Sequence, residues 1–334
     1  MSEPENTNRA LKRAEAAAHG SSFNRTTSDA FRKKIIAIGG GKGGIGKSFI
    51  STGIAYSLAQ KGYRTIIVDL DLGGANLHTC LGVPAPKISL SDFFAGRVAF
   101  LEQLLTPTQD ENLKLISGAH DALNVANVDE FTVQRLQKAM EGLDFDYLIL
   151  DLGAGTTNPT LDFFIMAHYS ILAMSPDPTS IENGYRFLKS AFYRTLKKAE
   201  QSYGARKIIE EAMDQKNSKG IRSPNDLVKF LSRFEPHVGK RIEEAVRKLD
   251  IRVVINQVRT PDDVEVGNSV EQICKLYFGL NTKFTGYLDY DNAVWQSLRK
   301  RQPLILECPK SHLVTQLREI TNRLISETQA QAAV

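Results

Sequence analysis

Residues 39–48 read GGGKGGIGKS, and this glycine-rich stretch constrains the fold more than any other part of the chain. The β-branched run KKIIAIGG comes before it, and the segment GKSFISTGIAYSLAQK, with apolar residues at helical spacing, follows it. A strand, a glycine-rich loop and a helix in this order are the context that a phosphate-binding loop requires. The pattern therefore predicts a loop whose backbone N–H groups surround phosphate groups at a helix N-terminus.

Within this loop the residue types predict particular contacts. Lys47 is expected to contact the β and γ phosphates of a nucleotide, and Ser48 to hold magnesium. A second lysine, Lys42, precedes Lys47 by five residues. Two interpretations of Lys42 remain open from the pattern alone: it points into solvent, or it reaches a phosphate outside its own loop. The predicted nucleotide-binding residues of the loop are Gly41, Lys42, Gly43, Gly44, Ile45, Gly46, Lys47, Ser48 and Phe49.

Strand-like apolar runs alternate with helical patterns along the rest of the chain. The runs are RTIIVDLDLGGAN, LKLISG, DYLILDLGAG, YSILAMSPDPTS, DIRVVINQV and KFTGYLDYD, and the helical patterns lie near residues 131–142, 158–167, 180–199, 291–300 and 310–327. This alternation predicts the α/β fold of a P-loop NTPase, with a doubly wound, mostly parallel sheet and helices on both faces. Ligands of such sheets bind at the carboxyl ends of the strands, where the polar motifs fall.

The ends of the chain differ in composition from its middle. Residues 1–30 are polar and are expected to form a flexible tail with one short helix around residues 8–18. Residues 31–330 are expected to form one nucleotide-binding domain. The segment SHLVTQLREITNRLIS is amphipathic, and we expect it to pack on the sheet as the last helix and not to anchor the chain to a membrane.

One charged, helix-favouring segment interrupts the alternation at residues 197–249. A connection between a strand and a helix needs far fewer residues, so this segment predicts a helical insertion. Two or three helices are expected in it, with breaks near residues 217–220 and around Pro236.

The composition excludes several classes of protein. Of the 334 residues, 42% are hydrophobic and 24% are charged, without a secretory signal core or a run of about 18 apolar residues, so we expect a cytoplasmic protein. Cys80, Cys274 and Cys308 are far apart and form no CxxC pair, so neither a disulfide framework nor a metal-cluster site is expected. The net charge of +4 weakly favours acidic partners.

The segment KGGIGKS resembles the deviant phosphate loop of the MinD and ParA family, in which the first lysine crosses a dimer interface to the partner's nucleotide. The resemblance implies that Lys47 serves the ATP of its own subunit and that Lys42 serves the ATP of the partner. It further implies a homodimer that encloses two ATP molecules with Mg²⁺, hydrolyses them slowly to ADP, and is stimulated by another protein. Lys42, Lys47 and Asp71 are the implied catalytic residues.

Three other motifs resemble those of the same family. VDLDLGGAN resembles its first switch, where Asp71 positions the attacking water and Asp69 supports the magnesium shell. YLILDLGAG resembles its second switch, where Asp151 meets magnesium through water and the Gly155 amide meets the γ-phosphate. VVINQV resembles its adenine-reading strand end, where Asn256 pairs with the edge of the base. The implied magnesium residues are Ser48, Asp69, Asp71 and Asp151.

Within the family, SPDPTSIENGYRFLK and GYLDYDNAVWQSLRKRQPLILECPKS are most similar to the flagellar-number branch, FlhG or FleN. This implies control of the position or number of a cellular structure, with recruitment to a cell pole and an activating or cargo protein. The insertion lies outside the resemblance, and we expect it to be the surface that recognises this partner; a solvated helical decoration is the alternative. A ParA-type DNA-partitioning ATPase, recruited to the nucleoid, remains an alternative because the net charge and the basic insertion would suit non-specific DNA.

Overall fold

The structure is a computed structural model, and it describes residues 33–72, 74–118, 128–200, 207–210 and 221–332. The predicted tail over residues 1–30, its short helix at residues 8–18 and the expected break near residues 217–220 lie outside the described residues.

Eight strands form one sheet in the order β3-β4-β2-β5-β1-β6-β7-β8. They are β1 Lys34–Gly39, β2 Thr65–Leu70, β3 Leu105–Pro107, β4 Leu113–Ile116, β5 Tyr147–Leu152, β6 Tyr169–Met174, β7 Asp250–Val258 and β8 Asn281–Asp289. Every neighbouring pair is parallel except β3 and β4. Strands β1, β2, β5 and β6 are buried at every residue because helices cover both faces, which explains their continuous apolar runs. The predicted doubly wound α/β fold is confirmed.

Helices connect these strands. The α-helices described are α1 Lys47–Ala59, α2 Leu77–Cys80, α3 Leu90–Phe94, α4 Glu130–Gly142, α5 Asn158–Met166, α6 Pro178–Ala199, α7 Pro224–Phe234, α8 Pro236–Lys248, α9 Pro261–Ile273, α10 Asn292–Lys300, α11 Leu304–Glu307 and α12 His312–Ala332. A helical turn lies at residues 207–210, a 3-10 helix at Leu101–Leu104 and a π-helix at Cys274–Phe278. Helix α6 matters most for the site. It begins where the Asp177 side chain accepts the N–H of Ser180 and Pro178 occupies the first helical turn, two strong helix-start signals.

Helices α7 and α8 lie in the predicted insertion and are separated at Glu235, directly before Pro236, as expected. Their apolar residues do not form a free surface: Leu227, Leu231 and Ile242 are fully buried and belong to the main hydrophobic core. The helical segment is therefore packed against the body of the domain, and its outward face carries charged residues.

The last helix, α12, packs on α1 and β8. A Cβ added to Gly53 of α1 would lie 2.6 Å from a methyl carbon of Leu317, so the two helices are in close contact. Leu313, Val314 and Ile320 are also buried, which agrees with the expectation that this helix packs on the body of the domain. Across the described part of the chain, every helix is too short or too polar to traverse a lipid bilayer.

Candidate functional site

The glycine-rich loop joins β1 to α1 at the carboxyl end of the parallel strands. Gly44 and Gly46 have φ angles of 75° and 90°, a left-handed conformation that favours glycine. A Cβ added to Gly46 would lie 2.1 Å from the amide nitrogen of Asn256, so any larger residue would displace the loop. At Gly43 and Gly44, by contrast, no described atom beyond the adjacent residues lies within 4 Å of an added Cβ, and this side of the loop is open to a ligand.

The two loop lysines point in different directions. Lys47 is 9% exposed, and its Nζ donates a hydrogen bond to the backbone oxygen of Lys42 at 3.3 Å, so its ammonium group lies within the curl of the loop. Burial lowers the pKa of Lys47, although the negative charges of Asp151 and Asp71 act against this shift. The Lys42 side chain is 40% exposed, and its Nζ lies 3.2 Å from Oδ1 of Asp177, the residue that caps the N-terminus of α6.

Two carboxylates face each other across adjacent strands beside Lys47. Asp69 of β2 is in register with Asp151 of β5, so both side chains reach the same edge of the sheet. Both Asp69 oxygens accept backbone N–H bonds, from Asp71 at 3.1 Å and from Leu77 at 3.0 Å. Burial, together with the negative charge of Asp151, raises the pKa of Asp69 to about 7. Asp69 is thus tied to the backbone of the first switch.

Asp151 is bonded to the first turns of α1. Its Oδ1 accepts a hydrogen bond from the Ser51 hydroxyl at 2.8 Å, and the Ser48 hydroxyl lies close enough to lower the pKa of the carboxyl. Burial raises the pKa of Asp151 to about 6, while the two serine hydroxyls and Lys47 oppose the shift. A serine hydroxyl next to a carboxylate beneath a phosphate loop is the donor set that suits Mg²⁺.

The expected magnesium residues do not form a complete metal cage by themselves. Among the described residues, no group of three or more His, Cys, Asp or Glu is arranged to hold a metal ion. Mg²⁺ usually takes one or two protein oxygens and completes its shell with water and substrate phosphates. Ser48 and Asp151 fit that requirement because they adjoin each other and the buried Lys47. The roles assigned to all four residues, Asp69 and Asp71 included, stay predictions.

Asp71 lies just past the end of β2 and is partly buried. Its Oδ1 would be 3.0 Å from a Cβ added to Gly153, so the first and second switch segments meet at this carboxylate. A cavity of about 620 Å³ opens beside it between the starts of α4 and α5. Gly155 follows with a φ angle of 97°, and glycine is required there for the second switch to turn.

Sequence reasoning missed a contact between the end of β7 and the phosphate loop. Asn256 is buried, and its Nδ2 donates to the backbone oxygen of Ile45 at 2.8 Å. Gln257, with a left-handed φ of 63°, donates from Nε2 to the backbone oxygen of Gly44 at 3.1 Å. Both side-chain amides therefore hold the loop in place through its backbone oxygens. The base-reading role of Asn256 stays a prediction.

Asp151→Asn is expected to stabilise the nucleotide-free protein near pH 8. The pKa of Asp151 is about 6 in the folded protein and about 4 in an unfolded chain. The free energy of unfolding therefore falls as the pH rises through this interval, because the buried carboxyl is harder to ionise than the exposed one. Asn keeps the shape and can still accept the Ser51 hydrogen bond. We expect the variant to melt a few degrees above wild type at about pH 8, with a smaller difference at about pH 5. Thermal unfolding at both pH values measures this, and an equal difference at both would contradict it.

The sequence matches the CobQ/CobB/MinD/ParA nucleotide binding domain family over residues 36–304. This match spans most of the chain, and the chain belongs to that family, whose MinD and ParA members are P-loop ATPases.

Two curated relatives are similar in sequence to about half of this chain. The antiactivator FleN of Pseudomonas aeruginosa is 30% identical over 158 residues, 47% of this chain and 55% of FleN. The flagellum site-determining protein YlxH of Helicobacter pylori is 34% identical over 167 residues, 47% of this chain and 53% of YlxH. The chain thus spans about half the length of these curated relatives.

A solved structure supports the fold. The septum site-determining protein MinD from Pyrococcus horikoshii, complexed with Mg-ADP, aligns with a TM-score of 0.59 and 19% identity, covering 87% of this chain and 96% of that one. At this identity the likeness establishes the architecture alone.

Proposed function

We propose that this protein is a switch ATPase that binds Mg-ATP, dimerises in the ATP-bound state, and returns to the monomer after slow hydrolysis. The switch would control the position or number of a cellular structure, as the name of YlxH, a flagellum site-determining protein, suggests for that relative. The observation that carries the proposal is the opposite placement of Lys47 and Lys42, one inside the loop and one on its outer rim.

The inner lysine accounts for nucleotide binding. The open backbone at Gly43 and Gly44, the buried ammonium of Lys47 and the hydroxyl of Ser48 would hold the phosphates and Mg²⁺. Bound Mg²⁺ neutralises charge on the β and γ phosphates. Asp151 would orient a water of the metal shell because its carboxylate lies beside Ser48 and Lys47.

The outer lysine accounts for dimerisation. Lys47 already occupies the interior of the loop, so the Lys42 ammonium adds little to a phosphate bound there. Because Lys42 is partly exposed on the rim, a second copy facing this loop could bring its nucleotide within reach. Each subunit would then complete the other's site, and hydrolysis would be slow because it requires Lys42 of one copy and Asp71 of the other in place together.

The size of the protein in solution tests this proposal. Sedimentation with a non-hydrolysable ATP analogue and Mg²⁺ is expected to show a dimer, and sedimentation with ADP a monomer. ADP is the matched control because it keeps the contacts of the adenosine and the first two phosphates. A monomer under both conditions at about 100 µM protein would contradict the proposal, because a dimer too weak to form there would not act as a switch.

We further propose that the charged outer face of α7 and α8 contacts the activating or cargo protein. The basic side chains there could instead bind DNA, and this observation supports the ParA-type alternative. The exposed basic residues are Lys229, Arg233, Lys240, Arg241, Arg247 and Lys248, of which Arg241 is paired with Glu200.

DNA binding separates the two functions. If the protein partitions DNA, a non-specific duplex will bind in the presence of the ATP analogue and its affinity will fall at least tenfold between about 50 and about 200 mM salt. Replacing Lys229, Arg233 and Lys240 by Gln should then abolish binding without affecting dimerisation. Substitution is preferable to deletion because the apolar residues of these helices belong to the core. For the positioning function we expect no ATP-dependent DNA binding.

A further inference from the structure

Within the described residues, the Lys42 ammonium group makes two polar contacts, both with the start of α6. Its Nζ lies 3.2 Å from Oδ1 of Asp177 and donates a hydrogen bond to Oγ1 of Thr179 at 2.9 Å. The contacts span more than 130 positions of sequence, so they are made by the fold and not by the loop itself. Nothing in the expected chemistry of the phosphate site requires them.

Asp177 is itself fixed in place. Its carboxylate accepts the Ser175 hydroxyl at 2.6 Å, the Thr179 hydroxyl at 2.5 Å and the backbone N–H of Ser180 at 2.9 Å. These hydrogen bonds lower the pKa of Asp177, so the group is ionised at neutral pH. Since it caps α6, the carboxylate cannot follow Lys42 away from the subunit without fraying the helix.

We infer that Asp177 is a positioning residue that holds Lys42 against its own subunit until a second copy engages the lysine. The inference rests on the proposed function, in which Lys42 contacts the nucleotide of the partner. The ammonium group has a third N–H to donate, but its bonds to Asp177 and Thr179 hold it at the start of α6 in its own subunit. A move toward a phosphate held by the second copy therefore breaks at least one of these bonds. Dimerisation therefore requires these contacts to open in both subunits.

The exposure of the pair sets the size of the effect. The Lys42 and Asp177 side chains are 40% and 42% exposed, and ion pairs at such positions contribute little because water screens them. Loss of the pair is expected to favour release of Lys42 by about 1.4-fold to 5-fold per subunit. A dimer releases two lysines, so its dissociation constant should fall by the square of this factor, about 2-fold to 25-fold. The pair thus raises the protein concentration that is needed for dimerisation with ATP, but it does not prevent dimerisation.

Asp177→Asn tests the inference. Asn has the same shape and still accepts the Ser180 N–H bond as a helix cap, but it lacks the charge that attracts Lys42. Asp291→Asn is the matched control, because Asp291 caps α10 in the same way, by accepting the N–H of Ala293 at 2.8 Å. The dimer dissociation constant is measured by sedimentation with a non-hydrolysable ATP analogue, and ADP affinity and thermal unfolding are measured on the same samples. We expect tighter dimers for Asp177→Asn alone, with ADP affinity and melting temperature unchanged.

Thr179→Val provides a second, independent variant. It removes the other acceptor of Lys42 while keeping the side-chain shape, and it leaves the Asp177 cap in place. A shift in the same direction, smaller than that of Asp177→Asn, is expected. If Asp177→Asn fails to fold, the result for Thr179→Val decides the question.

The outcomes distinguish this inference from the function on which it rests. If wild type dimerises with the analogue and both variants dimerise equally well, the inference is wrong and the proposed function stands. Weaker dimers for Asp177→Asn would also overturn it, because Asp177 would then orient Lys42 toward the partner. If wild type stays monomeric, the proposed function fails, and the inference fails with it.

Discussion

Lys47→Ala is expected to abolish ATP binding, whereas Lys42→Ala should bind ATP nearly as well as wild type but lose dimerisation and hydrolysis. The buried Lys47 ammonium lies within the loop, and its loss removes charge-assisted bonds worth about 3 kcal/mol, or about 100-fold in affinity. The Lys42 ammonium lies on the rim and is bonded to Asp177, so its loss leaves the interior of the loop intact. Titration of labelled ATP into each variant measures affinity, and sedimentation with the analogue measures dimerisation.

A mixture of the two variants provides a sharper test. In a mixed dimer, the Lys42→Ala subunit binds ATP, and the Lys47→Ala subunit supplies its intact Lys42 across the interface. Hydrolysis by the mixture, when neither variant alone hydrolyses ATP, is the expected result of a lysine acting between subunits. An equal loss of nucleotide affinity in both single variants would contradict the assignment, since both lysines would then serve the same phosphates.

The parts of the site that follow from local sequence were predictable. Strand β1, the loop and α1 are adjacent in the chain, and the glycines and apolar spacing determine them with little help from the rest of the fold. The same applies to Asp71 and Asp151, each near the end of an apolar strand. Here the sequence pattern predicts both the element and the edge of the sheet at which the polar group lies.

Contacts that depend on the order of strands were not predictable. The segment containing Asp177 was recognised as a motif, but its contact with Lys42 arises because β6 lies next to β1 in the sheet. The contacts of Asn256 and Gln257 with the phosphate loop arise similarly, because β7 is adjacent to β6. Hydrophobic patterns identify strands but leave their lateral order open, so such pairs come only from the folded structure.

Strand β3 and helix α9 are among the elements that were missed, each for a local reason. Strand β3 has only three residues, ends in Pro107 and lies at the edge of the sheet, so it has no recognisable period. Helix α9 has a weakly amphipathic sequence, although it begins with the capping box of Thr260 and Asp263 and with Pro261 in its first turn. Those start signals were available in the sequence and could have identified the helix.

Asp71→Ala is expected to bind ATP and dimerise but to hydrolyse ATP at least about 100-fold more slowly than wild type. The phosphate loop, Lys47 and the serine hydroxyls at Asp151 lie on β1, α1 and β5, so removing a carboxylate past the end of β2 leaves them in place. Asp71 lies near enough to Lys47 for its charge to raise the pKa of that ammonium group, and its oxygens lie beside Gly153 of the second switch. A carboxylate in this position can accept a hydrogen bond from the attacking water and orient it.

Asp71→Asn is the matched variant that separates charge from geometry. Its side chain keeps the size of Asp and one oxygen that can orient water, so we expect its turnover to lie between those of wild type and Asp71→Ala. Single-turnover hydrolysis, with the dimer fraction measured in parallel, distinguishes slow chemistry from failed assembly: Asp71→Ala should accumulate as an ATP-bound dimer. Near-normal turnover by Asp71→Ala would assign the catalytic carboxylate elsewhere. Asp151 would be the next candidate because it also lies beside Lys47 and accepts a hydrogen bond from Ser51.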